Sequence, residues 1–552
     1  MPETLRSSGK VSIAVAASRV LGLVREVLFA HLFGVGAVAD AYQVAFRIPN
    51  LLRDLFAEGA LSSAFVPTFL AALVGEPGEG EETEAGEPDP AARERAYCLG
   101  NLVFAGILLA TGTLSLLGIV FAEEIVGLIA NDFEGGDLSP AEAAEKLRLA
   151  SLLTRIMMPL LTIISVSAVW MGMLNAQKRY MAPAWAPAMF NVASILTGAG
   201  LVFVDPADVT GIIVWSAGTL GAGVVQACTQ LPALWRLGYR PLPRFRGLTK
   251  DPGVRRILRL MAPAIAGLAA VQINIFVNTR FAASLGDGPI AQLSYAFRIF
   301  YLPIGVFSVA LATVTTTRVS EGAAKGDMQA LARSAGEGVS AVWMLMTAST
   351  VGLLVLAEPV VRLLYFSFSE AEASATAMVL AAYVVGLLPY GLVKILAPAF
   401  YGIDRPRVPL LASCSAVLVN IVFNALTYRQ LGAPGLALGT ALGAFTNIAV
   451  LRLSFSRVVG PLPGVGGRQL GALVLANAVL GGLVYGAWQG VELLIAALEL
   501  GWPLRLAGLG LVVPLGFFAF VGILRGFGYP GAAMLWELPI KLGRRLLGRR
   551  GG

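Results

Sequence analysis

Residues 11–33 read VSIAVAASRVLGLVREVLFAHLF, and residues 41–73 read AYQVAFRIPNLLRDLFAEGALSSAFVPTFLAAL. Each is an apolar run long enough to cross a hydrocarbon core about 30 Å thick. Each also carries arginine well inside its ends: Arg19 and Arg25 in the first, Arg47 and Arg53 in the second. Similar runs recur to the end of a 552-residue chain that is 57% hydrophobic and 14% charged. Soluble domains carry about 25% charged residues, so this pattern specifies an all-α polytopic membrane protein. Fourteen spans are expected: 11–33, 41–73, 97–121, 147–176, 184–204, 211–236, 256–283, 290–318, 334–357, 376–402, 407–428, 433–456, 468–488 and 503–525. The first run is too long for the apolar core of a signal peptide, and no small-residue cleavage site follows it.

Basic residues sort by side. With the N-terminus inside, the inside loops hold Arg6, Lys10, Arg93, Arg95, Lys178, Arg179, Arg318, Lys325, Arg333, Arg405, Arg407, Arg452, Arg457 and Arg468. The 236–259 loop adds Arg236, Arg240, Arg244, Arg246, Lys250, Arg255, Arg256 and Arg259. The tail adds Arg525, Lys541, Arg544, Arg545, Arg549 and Arg550, whereas the outside loops hold only a handful, such as Lys146, Arg148, Arg362 and Arg429. This is the positive-inside pattern, and it places both termini in the cytoplasm. The net charge of +7 is therefore no sign of nucleic-acid binding. One inside loop, 75–90, is acidic and rich in Gly and Pro, which reads as a linker.

The chain repeats itself. Phe29-Ala30 followed by Gly34, Gly36 and Ala39 matches Phe281-Ala282 followed by Gly286, Gly288 and Ala291. Ala45-Phe46-Arg47-Ile48 matches Ala296-Phe297-Arg298-Ile299, and Arg179 and Pro183 match Arg405 and Pro409. Spans 1–6 and 7–12 then form two six-helix lobes of the same orientation, as in transporters built from parallel repeats. The expected divisions are an N-lobe at 1–236, a basic linker at 237–255, a C-lobe at 256–456, and two further spans with a basic tail at 457–552.

Counted in from the span ends, Arg25 and Arg53 fall near mid-bilayer and Arg298 somewhat nearer the outer side. A charge at that depth costs at least a few kcal/mol unless it faces protein, water or a partner. Arg19, Arg25, Arg53 and Arg298 have no carboxylate three or four residues away. Glu26 lies seven residues from Arg19, and Asp54 seven from Arg47, so those two arginines have acidic groups on their own helix faces. Arg25, Arg53 and Arg298 are thus expected to be the least compensated charges, facing a watery cavity that receives an anion. Guanidinium suits phosphate because its planar fork bonds two oxygens and stays charged. Pro49, between Arg47 and Arg53, is the expected kink or hinge. The competing reading pairs these arginines with Glu26, Asp54 or Glu58 to hold the bundle. Cys98, Cys228 and Cys414 show no metal or disulfide spacing, His31 stands alone, and no Walker A pattern or catalytic constellation is present. A transporter is expected rather than an enzyme, without a cofactor.

The residues that carry these charges also carry a resemblance. Ser18-Arg19-Val20-Leu21-Gly22, Arg25-Glu26, Asp40-Ala41, Phe46 to Arg53 (FRIPNLLR), Phe56 to Ser62 (FAEGALS) and Phe65-Val66-Pro67 resemble the opening of the bacterial lipid II flippases, the MurJ (MviN) family. Tyr295-Ala296-Phe297-Arg298 and Val393 to Tyr401 (VKILAPAFY) resemble that family's eighth and tenth helices. The resemblance runs through the whole chain and places it in the multidrug/oligosaccharidyl-lipid/polysaccharide (MOP) exporter superfamily. It implies two six-helix lobes in a V, and two extra helices that shelter a polyprenyl tail. The implied activity is outward flipping of undecaprenyl-diphosphate-linked peptidoglycan precursor by alternating access. The implied location is the bacterial cytoplasmic (inner) membrane, with lipid II, bilayer lipids and the cell-wall synthesis machinery as partners. The implied drive is the membrane potential or an ion gradient. The family's substrate arginines map to Arg19, Arg25, Arg53 and Arg298, accompanied by Ser18, Glu26, Asp40 and Asn50. The family's usual Asp is Glu at position 26. Some members bind sodium through carboxylates at positions that here are Asn278, Asn420, Asn424 and Thr440. Neutral amides replace the acids, so these residues are expected to bond between helices rather than hold sodium. The alternatives are a related exporter of another polyprenyl-linked oligosaccharide, an enzyme acting on lipid diphosphates, and a membrane scaffold of cell-wall synthesis.

Overall fold

The computed structural model describes residues 3–55, 60–74, 90–130, 133, 138–204, 208–463, 465–498 and 501–537. The acidic 75–89 stretch, Glu58 and the basic tail from 541 lie outside these residues. The described residues are almost entirely helical, as backbone buried away from water requires. The first compact unit is Met1–Ala291. It contains α1 (Glu3–Phe33), α2 (Ala37–Arg53), α3 (Ala60–Val74), α4 (Pro90–Val120), α5 (Ala122–Ala130), α6 (Pro140–Met157), α7 (Pro159–Ala176), α8 (Met181–Val204), α9 (Asp208–Cys228), α10 (Leu231–Arg236) and α11 (Pro252–Ala283). α12 (Pro289–Pro303) leads into the second unit, Gln292–Gly552. The second unit continues with α13 (Val309–Ala324), α14 (Met328–Val355), α15 (Ala357–Leu364), α16 (Glu370–Val384), α17 (Leu387–Gly402), α18 (Arg407–Val458), α19 (Gly467–Leu498) and α20 (Gly501–Gly526). The seventh span, α11, groups with the first unit because it packs along α3 and α5, whereas the sequence reading opened a new lobe there.

Among the described residues, nine helices are long and apolar enough to cross a membrane, or ten if the bent pair α16–α17 is one span. The fourteen-span reading divides the chain more finely than that test. The largest difference is α18, whose 52 residues would extend about 78 Å if straight. Gly432 breaks it with φ 59° and ψ −148°, a conformation reserved for glycine. Across the break, Asn420 Nδ2 donates to Thr440 Oγ1 at 3.4 Å. A Cβ on Gly443 would lie 3.0 Å from the Ala416 carbonyl oxygen. Residues 416 and 420 thus face 443 and 440 in antiparallel register, and α18 is a hairpin of two spans.

Close approaches also give helix directions in the first unit. The Asn191 side chain bonds the Ser18 carbonyl, and Gly198 meets Leu28, so α1 and α8 run parallel. Gly223 meets Leu160, and Gln230 bonds Ser167, so α7 and α9 run parallel. Gly100 meets Met173, and Gly118 meets Met158, so α4 and α7 run antiparallel where they pack. Odd spans run with odd and even with even, as successive crossings demand.

The repeat extends beyond the residues that revealed it. Arg179 N–H bonds the Leu174 carbonyl and Arg405 N–H bonds the Phe400 carbonyl, both at 2.8 Å. Lys178 and Asp404, one residue earlier, take positive φ of 58° and 55°. Gly34 and Gly286 also share positive φ. Short helices α5 and α15 follow α4 and α14. The next helices, α6 and α16, both open on capping boxes, Ser139 with Glu142 and Ser369 with Glu372. Asp54–Leu55 and Ile304–Ser308 both adopt π-helical conformation at the matching place. Such segments loosen a helix and recur at functional sites.

Candidate functional site

The first unit gathers the charges of α1 and α2. Arg25 is mostly buried, with its guanidinium 3.8 Å from the Glu26 carboxylate and 5.5 Å from the centre of the Phe190 ring. Arg53 donates to Asp54 Oδ1 through Nε at 3.2 Å and Nη2 at 2.9 Å. The expectation that Arg25 and Arg53 stand furthest from any acid is therefore corrected. Each is partnered by the carboxylate one residue on. Helix-face spacing of three or four residues overlooks such pairs, because adjacent side chains diverge and long ones must bend to meet.

Arg47 and Asp54, seven residues apart on one side of α2, meet α11. Arg47 donates to Thr279 Oγ1, and Gln272 Nε2 donates to Asp54 Oδ2 at 3.5 Å. Thr279 and Gln272 are themselves seven apart, so two antiparallel faces match polar group to polar group. The seven-residue spacing in both helices was the available signal. Asn50 donates to the Phe46 carbonyl at 2.7 Å, beside the backbone bond that Pro49 cannot make. The Ser18 carbonyl accepts from Asn191 Nδ2 at 3.0 Å, and Arg19 is exposed on α1.

Asp40 has a different role from the one expected of a substrate ligand. It is fully buried and accepts from Lys146 Nζ at 3.1 Å and from the backbone N–H of Gly288 and Ala291, each at 2.8 Å. Lys146 also donates to Asp287 Oδ1 at 2.6 Å and to the Gly286 carbonyl at 3.3 Å, with Phe133 4.7 Å away. Lys146, assigned to an outside loop by its sequence position, is 3% exposed. This cross-link joins α2, α6 and the turn before α12, and it turns Asp40 inward. Its partners lie 106 and more residues away in sequence, so local spacing could not reveal it.

In the second unit, Arg298 is exposed on α12, one turn and more before the π-helical Ile304–Ser308. A cavity of about 590 Å³ lies beside α13, lined by Thr313, Thr316, Thr317, Ser320 and Lys394 among others. The residues considered for sodium are divided: Asn278 is half-buried on α11, whereas Asn420, Asn424 and Thr440 bond to one another inside α18 at 3.4 Å. The amide chain from Asn424 through Asn420 to Thr440 joins the two limbs of that hairpin.

A family model described as lipid II flippase MurJ matches residues 29–495. The chain belongs to the MurJ family. A probable lipid II flippase MurJ of Vibrio cholerae is 34% identical over 449 residues, covering 81% of this chain and 82% of that protein. A lipid II flippase MurJ of Burkholderia cenocepacia is 33% identical over 476 residues, covering 85% and 87%. The fold matches a solved lipid II flippase MurJ in an inward closed conformation with TM-score 0.73 and 24% identity, covering 93% of this chain and 98% of that one. It also matches an inward-facing MATE family multidrug transporter of the MOP superfamily, with TM-score 0.61 and 17% identity, covering 80% and 94%. This MurJ-family chain is a multi-pass membrane protein with a transporter fold. Asp40, Arg47 and Arg53 of α2 and Asp54 just after it fall within the matched region, and so does Arg298. Ser18, Arg19, Arg25 and Glu26 precede it.

Proposed function

We propose that this chain is a flippase that carries lipid II from the cytoplasmic to the outer leaflet of the bacterial inner membrane, with both termini in the cytoplasm. Membership of the MurJ family supports the substrate. The observation that carries the mechanism is the presence of mostly buried Arg25 and part-buried Arg53, each held by an adjoining carboxylate. A buried ion pair is costly to assemble, and the 3.8 Å separation of Arg25 from Glu26 is long for one. In this reading the carboxylates keep the guanidinium groups in place without substrate. The diphosphate then takes their bonds through bidentate contacts, which are stronger and geometrically matched. Arg19 joins them in receiving the phosphates, Ser18 and Asn50 line that site, and Arg298, in the second unit, is a further contact proposed for the substrate. Asp40 acts one step removed, by fixing α2 against α6. The sugar-peptide headgroup crosses in water while the prenyl chain stays in lipid along α19 and α20.

The interior of a bacterial cell is electrically negative. Moving an anion outward therefore releases about 2.3 kcal/mol per charge per 100 mV for a full crossing of the field. That drive needs no nucleotide hydrolysis. The test is native mass spectrometry of the purified protein with lipid II and with undecaprenyl phosphate lacking the sugar. Wild type is expected to retain lipid II preferentially, and Arg25→Ala with Arg53→Ala to lose that preference. Equal retention of both lipids by wild type would contradict the substrate, and undiminished preference in the variant would contradict the site.

A further inference from the structure

Trp235 to Leu260 connects α10 to α11 and carries one acid, Asp251, against eight basic residues. Asp251 is occupied: its carboxylate accepts from Val254 N–H at 3.1 Å and caps α11. The basic residues are exposed, and no carboxylate partner is found for any of the eight among the described residues. Interleaved with Arg236, Arg240, Arg244 and Arg246 are large apolar side chains that are also exposed: Trp235 at 58%, Leu242 at 66% and Phe245 at 53%.

This segment is anchored. Tyr97 Oη donates to the Leu237 carbonyl at 2.6 Å, and Tyr239, itself 1% exposed, bonds Asn101 Oδ1 at 2.6 Å. Leu242 N–H donates to that same Oδ1, and Arg244 N–H donates to the Asn101 carbonyl at 3.1 Å. Further along, Leu248 packs where a Cβ on Gly106 would lie 3.2 Å away. The chain therefore descends beside the first three turns of the apolar stretch that begins near Tyr97. With the third span read at 97–121, that is the level at which headgroups give way to hydrocarbon. Exposed apolar groups there find acyl chains, and exposed guanidinium groups find phosphates.

We propose that the 235–246 segment is a binding surface for anionic phospholipids of the cytoplasmic leaflet. Leu242 and Phe245 enter the acyl boundary while Arg240, Arg244 and Arg246 engage headgroup phosphates. Arginine forks held by a bonded backbone select phosphodiesters that bear net charge over zwitterionic ones, whose ammonium group repels the guanidinium. The naming of the leaflet rests on the orientation proposed above; the surface itself does not depend on lipid II.

Spin-labelled phosphatidylglycerol and phosphatidylcholine in membranes reconstituted with the full-length protein provide the test. Wild type is expected to immobilise a larger fraction of phosphatidylglycerol than of phosphatidylcholine. Arg240→Gln with Arg244→Gln and Arg246→Gln should lose most of that excess, at an unchanged unfolding temperature. Raising salt to about 1 M, where the screening length is about 3 Å, should diminish the excess in wild type, which keeps the test valid if the variant folds poorly. Arg25→Gln with Arg53→Gln should leave the excess in place, separating this surface from the flippase site. Equal immobilisation of the two lipids by wild type, a salt-insensitive excess, or an excess retained in the folded triple variant would each overturn the proposal.

Discussion

Replacing Lys146 by Met should weaken the first unit more than any other single surface-assigned position. The substitution keeps side-chain volume but leaves the Asp40 carboxylate, at 0% exposure, with two backbone N–H donors and no counter-charge. Breaking one side of a buried pair costs about 3–5 kcal/mol. The lower end applies, because the two amides remain and Asp287, 38% exposed at its side chain, can return to water. About 3 kcal/mol on a unit of this size corresponds to roughly 6 °C in unfolding temperature. Asp40→Asn alone should cost less, since Lys146 keeps Asp287 at 2.6 Å. The double variant removes charge from both sides and should lie above the sum of the singles by at least about 1.5 kcal/mol. Thermal unfolding in one detergent, followed by tryptophan fluorescence, measures all four proteins. A Lys146→Met variant within about 1 °C of wild type, or strict additivity of the two substitutions, would refute the assignment of this triad as a structural cross-link.

Gly432→Ala places a Cβ at φ 59° and ψ −148°. It should cost about 1–3 kcal/mol, read as a lower unfolding temperature, whereas Gly466→Ala, where a Cβ meets nothing within 4 Å, should have little effect. The Ser139 hydroxyl and N–H hold the Glu142 carboxyl below its usual value of 4.5. A lowered folded value means that the cap stabilises above the unfolded value and fades as pH falls through the folded one. Glu142→Gln should therefore melt below wild type at pH 7, with the gap closing as pH drops below 4.5; a gap independent of pH argues against the cap. Collapsing the membrane potential in reconstituted vesicles should slow flipping, and an unchanged rate removes the proposed drive while leaving the activity.

Much of this architecture is legible because membranes enforce it. Apolar runs and arginine asymmetry place the spans, and glycine positions betray the repeat because backbone conformation at Gly34, Gly286 and the turns at 178 and 404 leaves little freedom. The short helices α5 and α15 escape notice because nine and eight residues, just past the spans read at 97–121 and 334–357, are too few to cross a membrane. The break between α6 and α7 escapes because the apolar run continues across it, although Pro159 marks it. Arg25, Arg53 and Arg298 are recognisable as costly at their depth without any structure. The partners of Arg25 and Arg53 are not, since Glu26 and Asp54 pair by side-chain bending, and neither are those of Arg47 and Asp54, since Thr279 and Gln272 come from a helix more than 200 residues away. Lys146 shows the limit most plainly. Its sequence position says loop and solvent, and only the fold brings it to Asp40.

The most direct measurement of the central claim is transbilayer movement of labelled lipid II in vesicles containing the purified protein. Wild type should expose internal lipid II to an external reagent at a rate well above protein-free vesicles. Arg25→Ala, Arg53→Ala and Arg298→Ala should each fall to the protein-free rate while still inserting in the membrane. Undiminished movement in these correctly inserted variants, or none in wild type under an applied potential, would contradict the account.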